Sequence, residues 1–151
     1  YFNSLIKQAT GVEGTIVQSV SEDYQPEDVD LAFSSPPYFN LEKYSDEPTQ
    51  CMVNYTTLDE WFDGYVVPTM TNIHNGLNND GVFATNIADY KTYGQKEPVE
   101  VCERWIETAE KIGFKHTGTI KMMLNTRPGV GNDKLAGREK FEGVYIFNKI
   151  G

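Results

Sequence analysis

Short apolar runs alternate along this chain with stretches at helical spacing, and turn residues separate them. Residues 1–10 read as the end of a helix, with Leu5, Ile6 and Ala9 apolar and Gly11 available as its stop. Gly14 to Val20 is a β-branched run that predicts a strand, and Ser21 to Asp28 is acidic and turn-rich. Val29 to Phe33 is a short strand that runs straight into Ser34-Ser35-Pro36-Pro37-Tyr38. The double proline ends it, because neither ring nitrogen can donate a ladder hydrogen bond. The polar connection from Phe39 to Thr56 is longer than most, which hints at a functional loop.

Thr57-Leu58-Asp59-Glu60 has the pattern of a capping box. Behind it Leu58, Trp61, Phe62, Tyr65, Met70, Ile73 and Leu77 fall near one face of a helix, which Pro68 is expected to kink. Asn78-Asn79-Asp80-Gly81 predicts a turn, and Val82 to Ile87 a strand apolar enough to be buried on both faces. Pro98 suits the first turn of a further helix, with Val101, Cys102, Trp105, Ile106, Ala109 and Ile112 inward and Gly113 closing it. Phe114 to Leu124 and Val144 to Phe147 predict the last strands, joined by a glycine-containing loop over 125–139. The expected sheet strands lie around 14–20, 29–34, 82–87, 114–124 and 143–148. This alternation argues an α/β fold: a mostly parallel sheet, helices on both faces, and an antiparallel hairpin at the end.

A length of 151 residues fits one compact domain, and 39% hydrophobic with 23% charged residues gives it enough material for a core. No apolar run approaches the roughly 18 residues of a membrane span, so no membrane partner is expected. The chain opens at Tyr1 without Met, which suggests a piece of something longer.

The net charge of -9 is unevenly placed. Residues 1–63 hold Lys7 and Lys43 against twelve carboxylates, a net of -10, and residues 64–151 net +1. Neutralising many phosphates takes a basic face, which the whole chain lacks. Arg127, Lys134, Arg138 and Lys140 form the one locally basic stretch, either a solvated loop or one that faces phosphate. Cys51 and Cys102 show neither CxxC spacing nor a neighbouring histidine. They read as two reduced thiols of a cytoplasmic protein, with no metal site. His74 and His116, one in a helical and one in a strand pattern, read as structural.

The candidate chemistry lies at the end of the second predicted strand. In open α/β sheets ligands bind at the carboxyl ends of strands, and here that end carries a hydroxyl, two rigid prolines and an aromatic ring. A carbonyl and a side-chain oxygen held side by side can accept both hydrogens of an exocyclic amino group, which turns the nitrogen lone pair outward. Tyr38 can stack on the ring that bears the amine, and catalysis would then rest on positioning and electrostatics. The plainer reading is that Pro36-Pro37 only ends a strand and Tyr38 packs in the core.

Ser35-Pro36-Pro37-Tyr38 after an apolar strand resembles the catalytic motif of S-adenosylmethionine-dependent amino-group DNA methyltransferases, [D/N/S]-P-P-[Y/F/W]. The serine version is more typical of cytosine-N4 enzymes and the Asp or Asn version of adenine-N6 enzymes. Phe39 to Ser45, Asn86-Ile87, and Arg138 to Phe147 also resemble phage and bacterial DNA methylases of this type, including those of restriction-modification systems. The resemblance implies a Rossmann-like methyltransferase fold, S-adenosyl-L-methionine as cofactor and DNA as partner. It implies that Ser35 and the Pro36 carbonyl accept the target's amino hydrogens, that Pro37 shapes the turn, and that Tyr38 stacks on the extruded base. Phe39 and Glu42 would line the substrate pocket, and Ser19 and Glu22 would touch the cofactor adenosine.

The family's glycine-rich cofactor turn, and the strand that ends in a ribose-gripping acid, have no counterpart in these 151 residues. The expectation is a partial methyltransferase catalytic domain over 1–151, incomplete at its N-terminus and weak or inactive alone. An exposed edge would invite a homodimer. The same motif can recognise a planar amine in RNA or in a protein glutamine, and a non-catalytic remnant of the fold is the remaining alternative.

Overall fold

The computed structural model describes residues 2–41, 44–91, 96–123 and 141–150. Helix α1 (Phe2–Thr10) ends at Gly11, whose N–H donates to the Lys7 carbonyl at 2.9 Å. Strand β1 (Val29–Ser34) delivers the proline pair as expected. The connection after it holds a short helix, α2 (Cys51–Asn54). Helix α3 (Leu58–Trp61) opens on the expected capping box: Thr57 accepts from the Glu60 N–H, and the Glu60 carboxylate accepts from the Thr57 N–H.

The helix then widens into a π turn, Phe62–Val66, before α4 (Val67–Gly76). The Val67 N–H reaches back to the Phe62 carbonyl, and Pro68, which has no N–H to give, sits at the start of α4. Strand β2 (Leu77–Ile87), helix α5 (Cys102–Ile112), and strands β3 (Phe114–Met123) and β4 (Phe141–Lys149) complete the described elements.

Among the described residues the strands form one sheet in the order β1-β2-β4-β3. β1 and β2 are parallel, with Ala32 beside Phe83 and Ser34 beside Thr85. β4 is antiparallel to both β2 and β3, so Phe147 lies between Phe83 and His116. The expectation of a mostly parallel sheet is corrected: one of the three pairings is parallel, because the closing hairpin inserts β4 between β2 and β3.

Four local expectations are also corrected. Gly14–Val20 is not a strand, and Ile16 and Val17 are exposed. A β-branched run becomes a strand only where a neighbouring edge takes its hydrogen bonds, and no described strand pairs with it. The Asn78–Gly81 turn is instead an irregular stretch within β2. The register slips from Val29↔Leu77 to Leu31↔Val82, and Asn78 Nδ2 donates to Asp30 Oδ1 at 2.8 Å. Leu77 accordingly starts β2 and does not end the helix. Pro98 lies outside α5, because Val99 pairs with Tyr90 as an isolated bridge and holds that stretch extended.

One face of the sheet makes the core. Phe83 and Phe147 stack at 5.7 Å, and Trp61, Phe62, Met70, Trp105 and Ala109 from the helices close over them. The guanidinium of Arg104 lies 4.1 Å over the Phe62 ring and pairs with Asp59, which ties α5 to α3. Gly113 ends α5 at φ +121°, where a Cβ would also stand 2.8 Å from His74 Nε2.

The other face carries Leu31 and Phe33 of β1, Ala84 and Val82 of β2, Val144 and Ile146 of β4, and Ile120 of β3. Leu31, Phe33 and Ile120 are 62%, 67% and 60% exposed. Among the described residues, the helices that pack on the sheet in the core, α3 to α5, lie on the Phe83 and Phe147 face. Each large side chain left in water forgoes about 1.5–3 kcal/mol of burial.

Candidate active site

The parallel pairing brings the carboxyl ends of β1 and β2 side by side, the position where sheets of this type hold ligands. From the end of β1, Ser35 is exposed, Pro36 buried, and Pro37 and Tyr38 half-buried. Ser35 and Pro37 open onto a cavity of about 250 Å³, with Ser21, Glu22, Cys51 and Tyr65 on its other walls.

Glu22 reaches this cavity because residues 21–26 are pinned along α4. Asn72 Nδ2 donates to the Glu22 carbonyl at 2.8 Å. At Gly76 the Pro26 carbonyl comes so close that a Cβ there would collide with it. The Glu22 carboxylate accepts from Tyr55 Oη at 3.3 Å. Burial, then the Glu22 charge, push the Tyr55 phenol up to about 12, so it stays a donor at neutral pH.

Tyr38 follows Pro37 in the chain and is not among the cavity's lining residues. Its Oη accepts the Ala88 N–H at 2.9 Å, and its ring meets Tyr90 edge-on, centroids 4.6 Å apart at 69°. Tyr90 is 9% exposed and donates its Oη to Asn40 Oδ1 at 2.6 Å. Burial, and then Tyr38, raise the Tyr90 phenol far above its ordinary value. Between these residues Asp89 accepts the Val101 and Cys102 N–H groups at 2.7 and 2.9 Å and so caps α5.

The structure thus brings Ser35, Pro37 and Glu22 to one cavity and fixes Tyr38 against Ala88 and Tyr90 at the end of β2. It does not bring Ser19 there: that residue is exposed and its Oγ donates to the Val20 carbonyl. Phe39 is 8% exposed and packs on Trp61 in the core, a position its size and apolarity favour over a pocket wall. Glu42 lies outside the described residues, as do Arg127, Lys134, Arg138 and Lys140. Asn86 is buried and donates to the Gly143 carbonyl at 3.2 Å, a bond between neighbouring strands. Ala88, Asp89, Tyr90 and Asn40 were missed in the sequence. Their signal was position alone, just past two strand ends.

Both thiols are protonated at neutral pH. Burial raises Cys51 and pushes Cys102 up to about 11. Neither is an activated nucleophile. Among the described residues no helix is long and apolar enough to cross a membrane.

A cofactor the size of S-adenosyl-L-methionine needs a pocket of roughly 300–1,000 Å³. The cavity falls below that range, although Ser21, Glu22, Ser35, Thr49 and Gln50 give it polar lining, so it does not hold the whole of such a ligand.

No family model matches the chain, and none of the curated proteins does. Solved structures do. A selenomethionine form of TTHA0409, a candidate DNA modification methylase from Thermus thermophilus, aligns with a TM-score of 0.60 and 16% identity, over 87% of this chain and 51% of that one. A second structure of the same protein gives 0.59 and 15%, over 88% and 52%. A third, complexed with S-adenosyl-L-methionine, gives 0.55 and 15%, over 87% and 50%. The chain thus has an α/β methyltransferase-type fold and spans about half the length of these structures.

Proposed function

We propose that this chain is the amine-binding half of an S-adenosyl-L-methionine-dependent DNA methyltransferase that modifies the exocyclic amino group of cytosine (N4) or adenine (N6), with cytosine favoured by the serine of the motif. The observation that carries the reading is the placement of Ser35-Pro36-Pro37-Tyr38. Ser35 and Pro37 line a cavity at the end of a parallel strand pair, and the ring of the next residue, Tyr38, is fixed by a backbone N–H from the end of the neighbouring strand. The methyltransferase-type fold, and the cofactor bound by a structural neighbour, support it.

In this reading Ser35 Oγ and the Pro36 carbonyl accept the two amino hydrogens, and Pro37 holds the backbone so that both oxygens face one way. The nitrogen lone pair then points away from the chain. Tyr38 stacks on the extruded base. When bound, S-adenosyl-L-methionine would supply a sulfonium methyl group, leaving as a neutral thioether. The target nitrogen forms the new N–C bond, and its surplus proton passes to water. Glu22 would hold the cofactor side of the cavity. The exposed Leu31 and Phe33 and the small volume of the cavity support placing the rest of the cofactor site in a further segment that packs on that face.

The net charge of -9 favours a second reading, a protein glutamine as the amine, and the same motif could also take an RNA base. Nucleoside analysis of DNA from cells expressing the full-length gene separates the two. N4-methylcytosine or N6-methyladenine supports the first, while methylated protein or RNA beside unmodified DNA overturns it.

A further inference from the structure

Tyr38 owes its orientation to residues fifty positions away. Its Oη takes the Ala88 N–H, and its ring is met edge-on by Tyr90, two residues further along the same backbone. Tyr90 is itself immobilised three ways. Its N–H and carbonyl pair with Val99 at 3.2 and 2.7 Å, its side chain is 9% exposed, and its Oη donates to Asn40 Oδ1 at 2.6 Å. Asn40 belongs to the turn that follows the motif, so one tyrosine braces both the ring and the backbone just past it. Asp89, between Ala88 and Tyr90, is fixed to the N-terminus of α5. The three residues after β2 thus join the sheet, the helix and the motif.

We infer that Tyr90 is a positioning residue for the motif's aromatic ring: its ring edge sets the tilt of Tyr38, and its hydroxyl, through Asn40, holds the loop that carries Tyr38. The inference rests on the reading of Tyr38 as the base-stacking ring. An aliphatic side chain at position 90 would fill much of the same core volume but would lack both functions. An edge-on aromatic pair requires the partner's ring quadrupole, and the bond to Asn40 requires a hydroxyl.

The test uses the whole chain with isotope-labelled tyrosine rings, followed by NMR, in wild type, Tyr90→Phe and Tyr90→Leu. The first readout needs no ligand. Tyr38 ring flips are expected to be about tenfold faster in Tyr90→Leu and about threefold faster in Tyr90→Phe, which keeps the ring edge and loses only the bond to Asn40. Unchanged Tyr38 signals and flip rates in Tyr90→Leu would overturn the inference. Should that variant fail to fold, Asn40→Ala carries the test. It removes the acceptor and leaves both rings, and an unchanged Tyr38 flip rate there counts against the inference equally.

The second readout is a titration with deoxycytidine and deoxyadenosine, read on the Tyr38 ring signals. Tyr90→Leu is expected to weaken nucleoside binding roughly two- to tenfold, the worth of one aromatic pair, and to add nothing in a Tyr38→Ala background. A change that only lowered stability would act equally in both backgrounds. If wild type shows no Tyr38 response to either nucleoside, the base-stacking reading fails while the ring-flip result still decides the role of Tyr90. If wild type responds and Tyr90→Leu responds equally, the positioning role fails and the stacking reading stands.

Discussion

The backbone N–H of Ala88 donates to Tyr38 Oη at 2.9 Å, across fifty residues of sequence, and so locks the last residue of the Ser-Pro-Pro-Tyr tip to the end of the neighbouring strand. A phenylalanine at position 38 would keep the ring and leave that N–H without its acceptor.

This separates two substitutions. Tyr38→Phe is expected to cost about 0.5–1.5 kcal/mol of stability, the net worth of one hydrogen bond, with stacking largely kept. Tyr38→Ala in the full-length protein removes the stacking surface, worth about 1–3 kcal/mol, and methylation should fall roughly 5- to 150-fold. Denaturant melts and methyl-transfer rates check the pair, and wild-type rates in Tyr38→Ala would contradict the role of the ring.

The capping box gives a pH dependence with a definite sign. Bonds from the Thr56 side chain and N–H, and from the Thr57 N–H, hold the Glu60 carboxyl below its ordinary value. A depressed folded value means that this contribution is present above the unfolded pKa and is lost as pH falls through the folded one. Urea midpoints should drop on acidification below the ordinary carboxylate range, less steeply for Glu60→Gln. Separately, Thr57→Ala is expected to destabilise the helix by about 0.5–2 kcal/mol.

The described secondary structure was legible where the signal is local. The capping box, the apolar run of β2, the inward positions of α5 and its closing Gly113 all depend on neighbours within a few residues. The failures are non-local. Gly14–Val20 has strand composition and no ladder partner among the described strands, and Pro98 was outweighed by the bridge between Val99 and Tyr90. The site divides the same way. Ser35, Pro37 and Tyr38 are contiguous and carry a motif. Ala88, Tyr90 and Asn40 become part of it only because parallel pairing sets two strand ends together, and Ser19 and Phe39 fell to a local bond and to the core.

Thiol chemistry tests the burial of the two cysteines. With Cys102 pushed up to about 11, its thiolate fraction at pH 8 is about a hundredfold below that of a free cysteine. Iodoacetamide labelling followed by mass spectrometry should be slow in the folded chain and fast in urea. Rapid labelling of Cys102 under native conditions would contradict its placement.

The uncovered face predicts self-association. In this 151-residue chain by itself, Leu31 and Phe33 expose apolar side chains on β1, the edge strand among the described residues, and a second copy can cover them. Light scattering should show a concentration-dependent rise in mass, diminished by Phe33→Glu. A monomer at high concentration would count against the homodimer.

A crystal structure of the full-length protein with an oligonucleotide that carries its target base decides the role of the Ser-Pro-Pro-Tyr tip. An amino nitrogen about 3 Å from both Ser35 Oγ and the Pro36 carbonyl, with the base stacked on Tyr38, is the expected result. A base bound elsewhere, or a Tyr38 ring shut away from it, would rule that role out.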